Sequence, residues 1–175
     1  MENEVINVEI IIATDQLMKD HPYASQDPNN PTPIAHKYAF MVASGSAMHV
    51  QGSGTGNLEF TAEQGDLLRV SAVSEYNNFG KNVLLYGLFR YSGTPIFNGD
   101  NFELESFADV DTAYPVHFDP LEVSTRQQAF WLAQNTFRTK GQAGIGFRFA
   151  LYHTPRGEGP TLVGYYQWDP TLTVV

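Results

Sequence analysis

A chain of 175 residues with 42% hydrophobic, 13% aromatic and 17% charged residues has enough apolar side chain for one core and too little charge for a disordered tract. Ten basic against nineteen acidic residues give a formal charge of −9, which removes DNA, RNA and anionic membrane surfaces as default partners. The absence of cysteine excludes a disulfide framework, a Cys-ligated metal site and a thiol nucleophile.

The opening stretch, MENEVINVEIIIATD, puts Glu2, Glu4 and Glu9 where a signal peptide requires positive charge. Its apolar run Ile10-Ile11-Ile12-Ala13 is too short for the core of a leader. No run approaches the roughly 20 apolar residues of a membrane span. The expectation is a cytoplasmic protein without membrane insertion. Release by lysis or by an unmarked export route would leave no trace in the sequence.

Val5 to Thr14 reads as the first strand: Ile6, Val8 and Ile10 alternate with Asn7 and Glu9 before the isoleucine run becomes continuous. Residues 20–33, DHPYASQDPNNPTP, hold four prolines and cannot form helix interior or a central strand. They define a long loop, 18–36, of a length that is often functional. Beyond it the texture is strand, turn, strand. Tyr38–Ala43, Ala47–Gln51, Leu58–Thr61 and Leu68–Val73 are expected strands, with GSGTG at 52–56 and EQGD at 63–66 as turns. Val83–Tyr91 is a strong β run, and Asn98-Gly99 signals a hairpin turn. Residues 91–125 hold seven acids and no Lys or Arg, whereas 126–157 hold five basic residues and no acid. Such segregation fits a solvated face, or two faces that meet between copies. Thr125–Phe137 suits helix or strand, and strand is favoured, with a loop at Lys140-Gly141 able to pair it with Ile145–Tyr152. Leu162–Trp168 is the last clear strand. Turn chemistry at roughly 10-residue spacing indicates an all-β, antiparallel two-sheet β-sandwich of jelly-roll or Ig-like type, one domain over residues 1–175.

No catalytic constellation emerges. GSGTG lacks the Lys-Ser/Thr ending of a P-loop, the five histidines show neither HxH nor HExxH spacing, and no GxSxG is present. No carboxylate pair stands out for glycoside hydrolysis. Two loop segments concentrate carboxylate and amide oxygens. Asp27, Asn29 and Asn30 lie in DPNNP, and Glu75, Tyr76, Asn77 and Asn78 in SEYNNF. Hard cations such as Ca²⁺ take six to eight oxygen ligands, and Asp15, Asp27, Asn29, Asn30, Asn78 and Asp169 could supply them. Sugars want the same amides and carboxylates beside an aromatic platform, for which Tyr76 and Trp168 are the candidates. The competing reading is that these side chains satisfy local backbone in Asx-turns.

At these residues the chain resembles the PixA/AidA family of bacterial inclusion-body proteins. The resemblance runs from INVEIIIATD through SQDPNNPTPIAHKYAFMVASGSAMHVQGSGTGNLEFTAEQGD and VSEYNNFGKNVLLYGLF to RFALYHT and GYYQWDPTLTV. The acidic middle, about 98–122, is least alike. The resemblance implies a bacterial protein under quorum-sensing or growth-phase control in a host-associated species, accumulating in some relatives as crystalline inclusions. It implies no established catalytic activity. The family's shared loop residues fall here on Asp15, Asp27, Asn29, Asn30, Glu75, Asn77, Asn78 and Asp169. Only four methionines are present, so the residues give no support to methionine storage.

Two expectations of function follow. In the first, the chain is a non-enzymatic, calcium-dependent, lectin-like module whose two loops hold Ca²⁺ and a glycan. In the second, it is a self-associating inclusion or storage protein without a small ligand, held together by its acidic and basic segments. Its loop motifs then serve only as braces.

Overall fold

The computed structural model describes residues 3–175. β1 (Val5–Ile12) buries Ile6, Val8, Ile10 and Ile12 on one side and turns Asn7 and Glu9 outward. It pairs antiparallel with β3 (Ala39–Gly45) and parallel with β6 (Leu67–Ser74). β6 meets β9 (Leu121–Thr136), which forms a hairpin with β8 (Glu103–Phe118). The first sheet therefore runs β3-β1-β6-β9-β8.

The second sheet is organised on β10 (Gly141–His153). β7 (Lys81–Gly93) lies antiparallel along one edge, while β11 (Thr161–Trp168) and β12 (Thr171–Val174) share the other. β5 (Asn57–Thr61) follows parallel to β12, with β4 (Met48–Gln51) antiparallel outside it. β2 (Thr32–Pro33) lies parallel to β11 at the far edge. An edge is where a proline can sit without breaking a ladder.

The two sheets face each other, as the expected sandwich requires. Val8, Ile10 and Val70 of the first and Leu88, Ile145 and Leu172 of the second surround one apolar void of about 20 Å³ between them. Aromatic rings fill much of the interior. Phe97 stacks on Phe137 at 5.3 Å between centroids, Phe60 meets Phe137 edge-on at 5.9 Å, and Phe149 stacks on Tyr166 at 5.3 Å. The sheets are mixed, and not wholly antiparallel as the turn spacing suggests. Between β1 and β6 the chain visits the second sheet at β2, returns for β3, and leaves again through β4 and β5. Such a crossover brings strands back parallel.

Several elements differ from the sequence reading. Thr14–Asp20 forms a short helix, α1, with Leu17 buried, where the strand was extended to Thr14. β8 and β12 are strands that no alternation announced. The turn at Asn98-Gly99 has Gly99 at φ +102° but joins no hairpin, because β7 and β8 belong to different sheets. Residues 125–137 are strand as favoured, yet β9 and β10 also lie in different sheets and form no hairpin. GSGTG does join the antiparallel β4 and β5.

The long loop is tethered. Tyr165 N–H donates to Ser25 O (2.8 Å) and Ile34 N–H to Gln167 O (2.9 Å). At its start Asp20 accepts from Gln16 (2.8 Å), the Tyr38 hydroxyl (2.7 Å) and Lys37 (3.1 Å), which together hold its carboxyl well below the usual carboxylate range.

Phe137 touches both Phe97 and Phe60 in the centre of this aromatic layer, so Phe137→Ala should cost about 3–5 kcal/mol in urea unfolding. Tyr166 is buried, its hydroxyl has no partner among the described residues, and burial pushes its pKa up to about 12. An unfolded tyrosine titrates near 10, so the unfolded chain sheds its proton first and stability falls as pH rises from about 10 to about 12. Thermal melts at neutral and alkaline pH should show Tyr166→Phe at least as stable as the parent at neutrality, with that alkaline loss removed.

Candidate functional site

The segment after β6 is held by its own side chains. Glu75 accepts from Thr14 N–H (2.7 Å) and Thr14 Oγ1 (2.8 Å) through Oε2, and from Asp15 N–H (2.9 Å) through Oε1. It thus satisfies the free amides at the start of α1, work that an N-cap residue ordinarily does. Tyr76 donates its hydroxyl to Asp15 Oδ2 (2.6 Å). Lys81 pairs with Asp15 and lies over the Tyr76 ring at 5.1 Å. Asn77 and Asn78 both take the left-handed conformation, φ +53° and +59°, which asparagine tolerates better than most residues. The Asn78 amide oxygen accepts from Ser74 N–H (3.0 Å) and Val83 N–H (2.9 Å). It therefore ties the end of β6 in one sheet to the start of β7 in the other.

The other segment lies along the second sheet. Asp27 Oδ1 accepts from Asn29 N–H (2.9 Å), an Asx-turn, and Tyr86 donates its hydroxyl to Pro28 O (2.9 Å). Asp27, Asn29 and Asn30 are exposed, and the side-chain amides of Asn29 and Asn30 make no hydrogen bond among the described residues. The structure does not merge this loop with residues 74–79: one rests on Tyr86 and Tyr165, the other at α1.

Trp168 is fully buried and donates its indole N–H to His36 Nδ1 (3.0 Å). It is a core residue, and the expectation of a sugar platform there is overturned by its burial. Asp169 is exposed in the link between β11 and β12. Among the described residues no three His, Asp or Glu side chains are grouped to hold a metal ion. The Asp15 and Glu75 carboxylates already face Lys81 and backbone N–H groups, which compete with any cation there.

A concave site does form beside Asn77. β9 leaves β6 after the Val70–Ala133 pair, and a cleft of about 330 Å³ opens where the strands part. Glu9, Ser71, Asn77, Gln128, Phe130 and Trp131 line it. Glu9 and Ser71 are register partners on β1 and β6, so both project to the outer face of the first sheet. Phe130 is 45% exposed, whereas Trp131, the next residue along β9, packs against the hydrophobic core, its indole N–H buried and without a partner among the described residues. Sequence reasoning singled out Asn77, and Asn78 which also borders the cleft, and missed the other five. Glu9 sat in an ordinary alternation, and Gln128 and Trp131 come from a segment more than fifty residues on from Asn77.

Comparison with known proteins follows this geometry. A family profile described as "PixA: Inclusion body protein" matches residues 4–174. A crystal structure of an inclusion body protein (PixA) from Burkholderia cenocepacia J2315 superposes with a TM-score of 0.76 at 24% identity, covering 100% of this chain and 98% of that one. That likeness establishes the fold. Among curated proteins none matches.

Asn78→Ala would strip the acceptor from two backbone N–H groups at once. It should cost about 2–3 kcal/mol in chemical denaturation. Asn77→Gly, which keeps the left-handed backbone and removes only an unbonded amide, should change stability by less than about 0.5 kcal/mol.

Proposed function

The chain belongs to the PixA inclusion body protein family, and on that premise we propose that it is a carbohydrate-binding protein without catalytic activity. The carrying observation is the cleft beside Asn77. It sets a carboxylate (Glu9), two amides (Asn77, Gln128) and a hydroxyl (Ser71) beside the exposed Phe130 ring. Sugar hydroxyls both donate and accept, which matches amides and a carboxylate, and the apolar face of a pyranose suits an exposed ring.

The same lining argues for binding over hydrolysis. Glycoside hydrolysis uses two carboxylates flanking the scissile bond, about 5–10 Å apart. Glu9 is the one acid in this cleft. Contact with the sugar is direct in this reading, because Lys81 and the α1 amides hold the nearby carboxylates of Asp15 and Glu75. The Asp27–Asn30 loop lies elsewhere and stays outside the site.

A broad glycan array followed by titration calorimetry tests this. Glu9→Gln and Asn77→Gly should each weaken the best glycan by about tenfold or more, the loss of roughly 1.4 kcal/mol. Asp27→Ala should leave affinity intact, and EDTA should change neither binding nor melting. An array without hits, or full affinity in both cleft variants, would overturn the reading. A clear rise in melting temperature with calcium would overturn its metal-free part and move attention to Asp27, Asn29 and Asn30.

A further inference from the structure

The β8–β9 hairpin reaches far beyond the sandwich. Its last pair with β6 is Val70–Ala133, so Leu121 to Leu132 run on without a neighbour from β6. At about 3.3 Å per residue that is an arm of roughly 40 Å. An isolated two-stranded ribbon is marginal in water, and this one is exposed along nearly its whole length.

Register assigns the arm two unlike faces. Leu121, Val123 and Thr125 stand opposite Phe118, Pro115 and Ala113, so these six side chains share one face. The patch they form carries no charge, and Phe118, Leu121 and Val123 are 81%, 67% and 63% exposed. The other face holds the pairs His117–Glu122, Tyr114–Ser124 and Thr112–Arg126. There Arg126 lies over the Tyr114 ring at 5.7 Å. On the same face as the patch Gln127 then stands opposite Asp111, which bounds the uncharged patch, and β9 runs on through Ala129 and Trp131 to the buried Ala133 of the core. That face is therefore the inward face of the first sheet, prolonged past the end of the second sheet, with no opposing layer among the described residues.

We propose that the missing layer is the same face of a second copy, so that two arms pack apolar side to apolar side about a two-fold axis. The geometry asks for an uncharged two-stranded patch to match the outer part of the arm, from Ala113 and Thr125 to Phe118 and Leu121, and a second arm supplies it. A two-fold contact of this kind needs only that the patch be complementary to itself. Asp109, Asp111, Asp119 and Glu122 on an arm with Arg126 as its basic residue, in a chain of charge −9, disfavour nucleic acid and anionic lipid as occupants. Two arms of this size bury on the order of 1,000 Å² together, about the lower bound of a specific interface.

The contact is apolar. Salt should not loosen it, in contrast to an association held by the acidic and basic segments. Those segments do not form opposed faces: Arg126 lies on the arm, Lys140 pairs with Glu63, and Arg148 bonds Gln167 in the second sheet.

Sedimentation of the full chain over a wide concentration range, at low and high salt, tests the proposal. The parent should be a dimer whose mass is insensitive to salt. The double substitution Phe118→Glu, Leu121→Glu should give a monomer with the parent's far-ultraviolet circular dichroism. The chain has no cysteine, so single cysteines provide a check independent of that variant. Under mild oxidant Val123→Cys should form a covalent dimer, and Ser124→Cys, on the opposite face, should not. A parent that stays monomeric throughout, a dimer that survives the double substitution or dissociates in salt, or equal cross-linking at 123 and 124 would overturn it. None of these readouts depends on whether the cleft takes a sugar.

Discussion

β9 is 16 residues long, yet it meets β6 over only the four pairs from Leu67–Thr136 to Val70–Ala133. What happens past that point shapes the rest of the molecule's surface. β6 continues for four more residues beside β1, and β9 diverges paired with β8. The divergence opens the cleft, because Ser71 and Asn77 stay with the body while Gln128 and Phe130 leave with the arm. The same divergence strands an inward-facing apolar surface outside the sandwich. A strand that alternates its side chains carries that alternation wherever it goes, covered or not.

The loop after β6 keeps the two layers in place where this split occurs. Asn78 bridges Ser74 and Val83 across the sheets, and Glu75 caps a helix that begins sixty residues earlier. These are the side chains whose chemistry made them ligand candidates. A carboxylate or amide oxygen that can coordinate calcium or a sugar can also accept from a backbone N–H, and here the backbone has them. Asn77, beside it, makes no such side-chain bond among the described residues, and both line the cleft. Neighbouring asparagines with the same left-handed backbone therefore divide into a brace and a candidate contact.

Much of the sandwich was legible in the residues. Ile6, Val8 and Ile10 alternate because one face of β1 is buried, and Leu68, Val70 and Ala72 repeat this on β6. Prolines in 20–33 excluded regular structure, and the one strand there, Thr32–Pro33, sits at an edge. β8 was illegible for the same physical reason that it is unusual. Alternation arises from burying one face, and β8 is exposed on both. α1 was hidden because its cap is Glu75, which no local pattern can reveal. Trp168 shows the opposite error: an aromatic beside Asp169 reads as a surface platform, but the end of β11 turns it into the core.

The amino-acid sequence by itself determined the β class, the turns, the absence of thiol chemistry and the family resemblance, because these rest on local periodicity, composition and contiguous motifs. Only the tertiary structure decided which strands run parallel, which polar loop residues are already engaged, and which residues meet in the cleft. It alone showed that the acidic middle is half of a projecting arm. Each of these depends on how segments tens of residues apart are brought together, and chain periodicity carries no information about that.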